Sequence, residues 1–116
     1  MKDELTEKII GAAIEVHRIL GPGLLESIYE EALCHELTLQ NVNYKRQVAV
    51  DVLYKGHVIQ GQRLDLLVEG EVIVEIKSLK ELPDVATAQV LSYLKATGLK
   101  RVLLINFGEK RLYRWN

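Results

Sequence analysis

Two apolar runs separated by three residues constrain this chain more than anything else in it. Arg63-Leu64-Asp65-Leu66-Leu67-Val68 and Val72-Ile73-Val74-Glu75-Ile76-Lys77 are rich in β-branched and leucine side chains and alternate with period two. Glu69-Gly70-Glu71 between them has the composition of a tight hairpin loop. A three-residue loop sets Val68 across from Val72, Leu66 from Val74, Leu64 from Ile76 and Asp65 from Glu75. One face of the hairpin is then wholly apolar, and the other carries Asp65, Glu75 and Lys77 beside Leu67 and Ile73. A shorter loop, Glu69-Gly70, would bring Asp65 opposite Val74 and turn a charge into the core, because a slip of one residue exchanges the two faces. The three-residue loop is therefore expected.

In that register two carboxylates face each other across neighbouring strands, which is unfavourable unless a cation or a proton offsets the repulsion. Lys77 and a bound metal can each supply the charge. Mg²⁺ or Mn²⁺ is held by one or two carboxylates together with carbonyls, waters and phosphate oxygens. Asp65 and Glu75 are the candidate ligands, with the carbonyl of Ile76 as a third. Lys77, two residues from Glu75 and on its face, is placed to orient or deprotonate an attacking water, or to steady charge developing on a phosphate. The competing reading is a solvated strand face with an incidental Glu-Lys pair, and the D…ExK pattern by itself does not choose between them.

The 116 residues suit a single domain over 1–116, with one core and little room for a separate recognition module. Hydrophobic runs are short and broken by charges, and Met1-Lys2-Asp3-Glu4 does not begin a signal peptide. A cytoplasmic location is the expectation. Cys34 is the only cysteine, so no internal disulfide forms, and its place in a helical pattern suits a buried inert thiol. His17, His35 and His57 lack ligand spacing, which argues against zinc. The net charge of −1 argues against a protein that coats nucleic acid non-specifically. The charge is unevenly spread: residues 1–43 hold three Lys and Arg against eight Asp and Glu, and residues 76–116 reverse that to eight against three. A basic C-terminal part beside a metal site suits a phosphodiester, and equally the two parts can attract each other within the fold.

Leu5, Ile9, Ala12, Ala13, Val16 and Leu20 recur at helical spacing until Gly21-Pro22-Gly23 stops the helix. Leu25, Ile28, Ala32, Leu33 and Leu37 restart the period toward Gln40, and the two apolar stripes are expected to pack together. Tyr44 to Tyr54 reads as a strand with Val48, Val50 and Val52 on one face; Lys55-Gly56 turns it back, and Gly61 marks a bulge or bend before Arg63. Pro83-Asp84 starts a further helix carrying Val85, Ala88, Leu91 and Leu94, which Gly98 ends. Val102-Leu103-Leu104-Ile105 has the character of a strand buried on both faces, as in a crossover to a parallel neighbour. Lys110 to Trp115 suits a basic edge strand. The order is helix, helix, three strands, helix, two strands: an α/β sandwich with a mixed sheet.

That order, with the charged trio on its central hairpin, resembles the PD-(D/E)XK nuclease superfamily. More closely it resembles the GxxExxY family, whose motif stands here as Gly23-Leu24-Leu25-Glu26-Ser27-Ile28-Tyr29. The likeness runs on through Arg63 to Val68, Val74 to Lys77, Gln89 to Gly98 and Leu104 to Gly108, covering nearly the whole chain. It implies a restriction-endonuclease-like α/β sandwich, a mixed central sheet flanked by helices, with a metal-dependent phosphodiesterase site. In the superfamily a helical glutamate often completes the metal site, and the resemblance assigns that role to Glu26, with Tyr29 on the same helix face near the substrate. The alternatives are a glutamate favoured by the helix dipole and a core tyrosine. Gln89 and Tyr93, four apart, resemble the Q-x-x-x-Y element that touches substrate or holds the lysine in some superfamily nucleases. Arg63, two residues from Asp65, is expected on its face, near a phosphate or Glu75. Leu64 stands where the superfamily's proline would precede Asp65, and proline contributes no ligand.

Two function classes follow. One is a Mg²⁺- or Mn²⁺-dependent hydrolase of phosphodiester bonds in DNA or RNA. The other is a non-catalytic module that keeps the nuclease fold to bind nucleic acid or protein. The intact trio favours the first and the mild net charge the second. A subunit of a larger assembly is a third reading. A nuclease this small would need a homodimer or a partner protein to grip its substrate.

Overall fold

A computed structural model describes residues 3–110. The elements are α1 (Glu4–Leu20), α2 (Glu26–Leu39), β1 (Tyr44–Tyr54), β2 (His57–Val68), β3 (Val72–Lys77), α3 (Asp84–Thr97) and β4 (Arg101–Asn106). Four strands form one sheet in the order β1-β2-β3-β4, with β1, β2 and β3 antiparallel in succession and β4 parallel to β3. Helices α1 and α2 cover one face and α3, the crossover between β3 and β4, covers the other. This is the mixed α/β sandwich that the residue pattern and the resemblance both imply. The strand expected over Lys110–Trp115 lies, from residue 111 on, outside the described residues. No helix of the described residues is long and apolar enough to cross a membrane.

The helix boundaries follow from local chemistry. Asp3 caps α1 by accepting the Thr6 amide and hydroxyl, and Arg101 at the start of β4 pairs with the same carboxylate. The Arg101 guanidinium holds the Asp3 carboxyl down to about 2. Gly98, at φ 73°, closes α3 in the left-handed conformation that glycine adopts without penalty. β4 is buried along almost its whole length: Leu103 and Ile105 face α1 and α2, and Val102 and Leu104 face α3.

The stripes of α2 and α3 differ from expectation. Leu25 and Ile28 are exposed, at 70% and 43%, and the inward face of α2 is instead Tyr29, Glu30, Leu33, Cys34 and Leu37. Val85 and Leu91 of α3 are likewise exposed, and Ala86, Val90 and Tyr93 are buried. Each helix carries two apolar stripes, and the buried one contains the tyrosine.

The hairpin of β2 and β3 has the three-residue register, with Val68 paired to Val72, Leu67 to Ile73 and Leu66 to Val74. Pairing stops there. Leu64 does not go on to meet Ile76 but joins Val50, Ile73, Val90 and Tyr93 on the α3 side, while Leu66 and Val68 stay on the α1 and α2 side. The facing strand switches at the same level: Arg46 reaches Glu30 of α2, whereas Val48 and Val50 turn toward α3. Gln47 stands between these two halves with φ 51°, a left-handed backbone that costs a non-glycine residue about 1–2 kcal/mol. The β1–β2 ribbon therefore rolls over at Gln47 and Asp65. A second irregularity, between the pairs Val50–Gln62 and Val52–Ile59, places a bulge at Gly61, as its φ of 118° allows.

Beyond Lys77 the chain is pinned by Asn106, which is fully buried and exchanges two hydrogen bonds with Leu79: the Leu79 amide donates to Oδ1 at 2.9 Å, and Nδ2 donates to the Leu79 carbonyl at 2.8 Å. Gly108 donates to the same Oδ1, and a Cβ on it would fall onto the Leu79 backbone. Asn106→Ala leaves both Leu79 groups unpaired and is expected to cost about 2–4 kcal/mol in urea denaturation. Gly108→Ala is expected to destabilise as well, because the atom in the way is backbone and cannot swing aside.

Candidate active site

Where the β2–β3 ladder breaks, the Asp65 carboxylate takes the place of the next rung: the Ile76 amide donates to Asp65 Oδ2 at 2.7 Å. Within an extended strand the N–H and C=O of one residue point to the same edge, so the Ile76 carbonyl also faces β2, alongside Asp65. Lys77 shows the complementary direction, its carbonyl accepting the Phe107 amide toward β4. Splayed strands with a carboxylate, an amide and a carbonyl between them make a polar notch inside an otherwise apolar sheet.

Glu75 projects from β3 on the α3 face and is only 4% exposed. Its Oε2 is approached by the Tyr93 hydroxyl, a donor at 3.3 Å, and by Lys77 Nζ at 3.8 Å. Its Oε1 is buried and accepts no hydrogen bond among the described residues, with the Asp65 carboxylate close beside the Glu75 carboxyl. Burial, and next the charge of Asp65, push the Glu75 carboxyl up to about 8, against the smaller opposing effect of Lys77. Tyr93 is pushed up to about 12 by burial and by the Glu75 charge. Gln89 donates through Nε2 to the Tyr93 hydroxyl at 3.1 Å. The Gln89–Tyr93 pair thus reaches the site in series, the tyrosine touching Glu75 and the glutamine holding the tyrosine.

Other expected residues sit apart. The side chain of Glu26, at the exposed start of α2, has no hydrogen bond or ion pair among the described residues, and no three His, Cys, Asp or Glu side chains gather into a metal-sized cluster there. Glu26 therefore does not complete a three-carboxylate set with Asp65 and Glu75. Tyr29 is fully buried and stacks on Phe107 with ring centroids 4.5 Å apart. Its hydroxyl donates to the Gly21 carbonyl and accepts the Leu24 amide at 3.1 Å. It holds the Gly21–Leu25 loop instead of facing a substrate, and that loop in turn receives the Ser78 hydroxyl on the Leu24 carbonyl, one residue beyond Lys77. Arg63 is exposed and donates to the Gln47 carbonyl at 3.3 Å. Simple alternation from Asp65 does not carry to it, because the strand rolls over between them. Cys34 is buried, and burial pushes its thiol up to about 11, which keeps it inert.

Two residues of the surroundings were not evident from the motifs. Glu30 of α2 is buried; its Oε2 accepts Arg46 Nε and Nη2 at 3.1 and 2.9 Å, and its Oε1 accepts Gln47 Nε2 at 2.9 Å. The same Gln47 Nε2 lies 3.5 Å from Asp65 Oδ1. The signal for Glu30 is its alignment with Leu33 and Leu37 at helical spacing, since a carboxylate on the buried stripe needs a cationic partner. No signal marks a glutamine for a left-handed backbone.

The donor set fits a hard divalent cation. Two carboxylates converge with a main-chain carbonyl, and among the described residues one carboxylate oxygen is buried without a partner and no histidine or cysteine gathers with the pair. Two acidic ligands leave the remaining positions to water and phosphate oxygens, as Mg²⁺ prefers.

In comparison with known families, the family model described as the PD-(D/E)XK nuclease superfamily matches residues 3–115. No curated protein and no solved structure matches the chain.

Proposed function

The chain belongs to the PD-(D/E)XK nuclease superfamily, and we propose that it is a divalent-metal-dependent nuclease that hydrolyses phosphodiester bonds in DNA or RNA, of the GxxExxY type. The observation that carries the reading is the unpartnered, buried Oε1 of Glu75 beside Asp65. Ionising a buried carboxyl with an empty acceptor beside a second carboxylate is costly unless something cationic meets it, and Lys77 approaches only the other oxygen.

Asp65, Glu75 and the Ile76 carbonyl would hold Mg²⁺ or Mn²⁺, which supplies Lewis acidity toward a phosphate oxygen and lowers the pKa of a coordinated water. Asp65 is fixed for this by the Ile76 amide, and Glu75 by the Tyr93 hydroxyl, so neither carboxylate reorganises when substrate arrives. Lys77, on the same strand face and only loosely paired to Glu75, orients the attacking water, whose proton passes to solvent, and its ammonium steadies the charge that develops on the phosphate. Water oxygen bonds to phosphorus as the ester P–O bond breaks, and the departing oxygen is protonated from solvent. Arg63, exposed at the rim, meets the phosphodiester backbone. A second copy or a partner protein completes the grip on the substrate; the exposed Val52, Leu53, Tyr54, Val58 and Ile59 of the outer β1–β2 ribbon offer it an apolar surface.

The test is a calorimetric titration of Mn²⁺ and Mg²⁺ into wild type and Asp65→Asn, with cleavage of mixed DNA and RNA in the same samples. Wild type is expected to bind and to cleave, chelator to abolish cleavage, and the variant to lose both. A wild type that binds neither ion would overturn the reading.

A further inference from the structure

We propose that Gln47 is a positioning residue for Asp65, held in place by the buried Glu30 and its partner Arg46. This rests on the nuclease reading of the Asp65–Glu75 site, which it extends to β1 and α2.

Gln47 sits across from Asp65 at the level where the β1–β2 ribbon rolls over, between the pairs Arg46–Leu66 and Val48–Leu64. Its left-handed backbone is unfavourable for glutamine and easy for glycine or asparagine. The cost of that conformation on an exposed strand position directs attention to what the side chain does. That side chain has one amide nitrogen shared by two carboxylates: 2.9 Å to Glu30 Oε1, and 3.5 Å, the outer limit of a hydrogen bond, to Asp65 Oδ1. An amide carries two hydrogens, one for each.

The near contact anchors the far one. Glu30 is buried and cannot follow a moving glutamine, because Arg46 grips its other oxygen through two nitrogens and reaches Glu31 with the third. Asp65 is thereby held from two sides, Oδ1 by Gln47 of β1 and Oδ2 by the Ile76 amide of β3. Both donors are neutral, so neither brings a positive charge that would compete with a cation, and each oxygen keeps a lone pair. A lysine or arginine in place of Gln47 would compete with a cation for Asp65, whereas a glutamine orients without neutralising. The Gln47 carbonyl also accepts Arg63, so one residue ties together the carboxylate and the arginine at the rim.

The experiment compares wild type with Gln47→Met, which keeps the length and removes the donor, and Gln47→Gly, which also relaxes the backbone. Two quantities are read: Mn²⁺ affinity by calorimetry, and exchange of the Ile76 amide by NMR in the metal-free protein. The expected result is Mn²⁺ binding about ten- to a hundredfold weaker in both variants. Ile76 should exchange about tenfold faster, with the Phe107 amide, bonded to Lys77, unchanged, because only the partner of Asp65 loosens. Gln47→Gly is expected to melt at or near the wild-type temperature. Unchanged Ile76 exchange, or Ile76 and Phe107 accelerating together with a fall in melting temperature, would overturn the assignment and leave Gln47 a part of the frame. A wild type that binds no Mn²⁺ would remove the nuclease reading instead, and the Ile76 exchange would still decide the role of Gln47.

Discussion

Lys77→Met is expected to lower metal-dependent cleavage by about 10²–10⁴-fold while leaving Mn²⁺ binding within a few-fold of wild type. The argument is geometric. Lys77 Nζ lies 3.8 Å from Glu75 Oε2, too long for a hydrogen bond, and its side chain is 20% exposed, so the ammonium is neither locked to the carboxylate nor lost to bulk water. It stands beside Glu75 and stays partly exposed, so an attacking water or a phosphate can reach it. Methionine preserves the aliphatic stem that packs along β3 and removes only the charged end. If Lys77 served mainly to neutralise Glu75, its loss would weaken the metal-free fold and tighten Mn²⁺ binding by removing a competing positive charge, and cleavage would not fall alone. Lys77→Arg separates the remaining possibilities. Arginine keeps the charge but does not release a proton at usable pH, so restored cleavage would assign Lys77 to charge stabilisation, and continued inactivity to proton transfer.

The hairpin that carries this lysine was legible because its alternation and loop left a single register compatible with a dry face, and the pairs Val68–Val72 and Leu66–Val74 follow it. The same logic failed one residue further on. Alternation assumes that a strand keeps its faces, and β2 exchanges them at Asp65, where Leu64 turns toward α3. That roll depends on the left-handed backbone of Gln47 on the neighbouring strand, a tertiary feature that glutamine does not advertise. Arg63 was accordingly expected on the face of Asp65 and instead reaches back to the Gln47 carbonyl.

The helices mislead for a different reason. In α2, Leu25 and Ile28 form as good a stripe as Leu33 and Leu37, and hydrophobicity says only that large apolar groups are often buried, never which ones. The deciding contact is long-range: Tyr29 stacks on Phe107, which arrives after β4, and this turns the face that carries Tyr29 and Glu30 inward, while Glu26, one turn earlier on the same face, stands at the exposed start of the helix. One helical turn therefore separates the glutamate that the motif suggests from the one that the fold connects, through Gln47, to Asp65. In α3 the polar end of Tyr93 chooses the face, because Glu75 waits across the sheet for a donor.

The second large effect is on folding, and it runs against the usual direction for a mutated site. Glu75→Gln is expected to make the metal-free protein more stable than wild type at pH 9 and to remove most of the pH dependence of wild-type stability. Glu75 has an ordinary value of 4.5, and in the folded, metal-free site burial and the charge of Asp65 raise it to about 8. Between those values the unfolded chain has released the proton and the folded chain still binds it, so stability falls as pH rises, by about 1.4 kcal/mol per pH unit at most. Below the ordinary range both states are protonated, and above about 8 both are ionised, so the curve is flat at either end. Glutamine is neutral throughout and still accepts the Tyr93 hydroxyl, so its curve should lack the slope. Melting in the presence of chelator from pH 5 to pH 9 checks this: parallel wild-type and variant curves would mean that Glu75 is not held neutral by its surroundings. Added Mn²⁺ should reverse the order at pH 9, raising the wild-type melting temperature with the logarithm of its concentration above the Kd and leaving Glu75→Gln where it was. A site that weakens the empty fold and strengthens the loaded one is what two confined carboxylates produce when their natural partner is a cation, because their mutual repulsion is offset only when that cation binds.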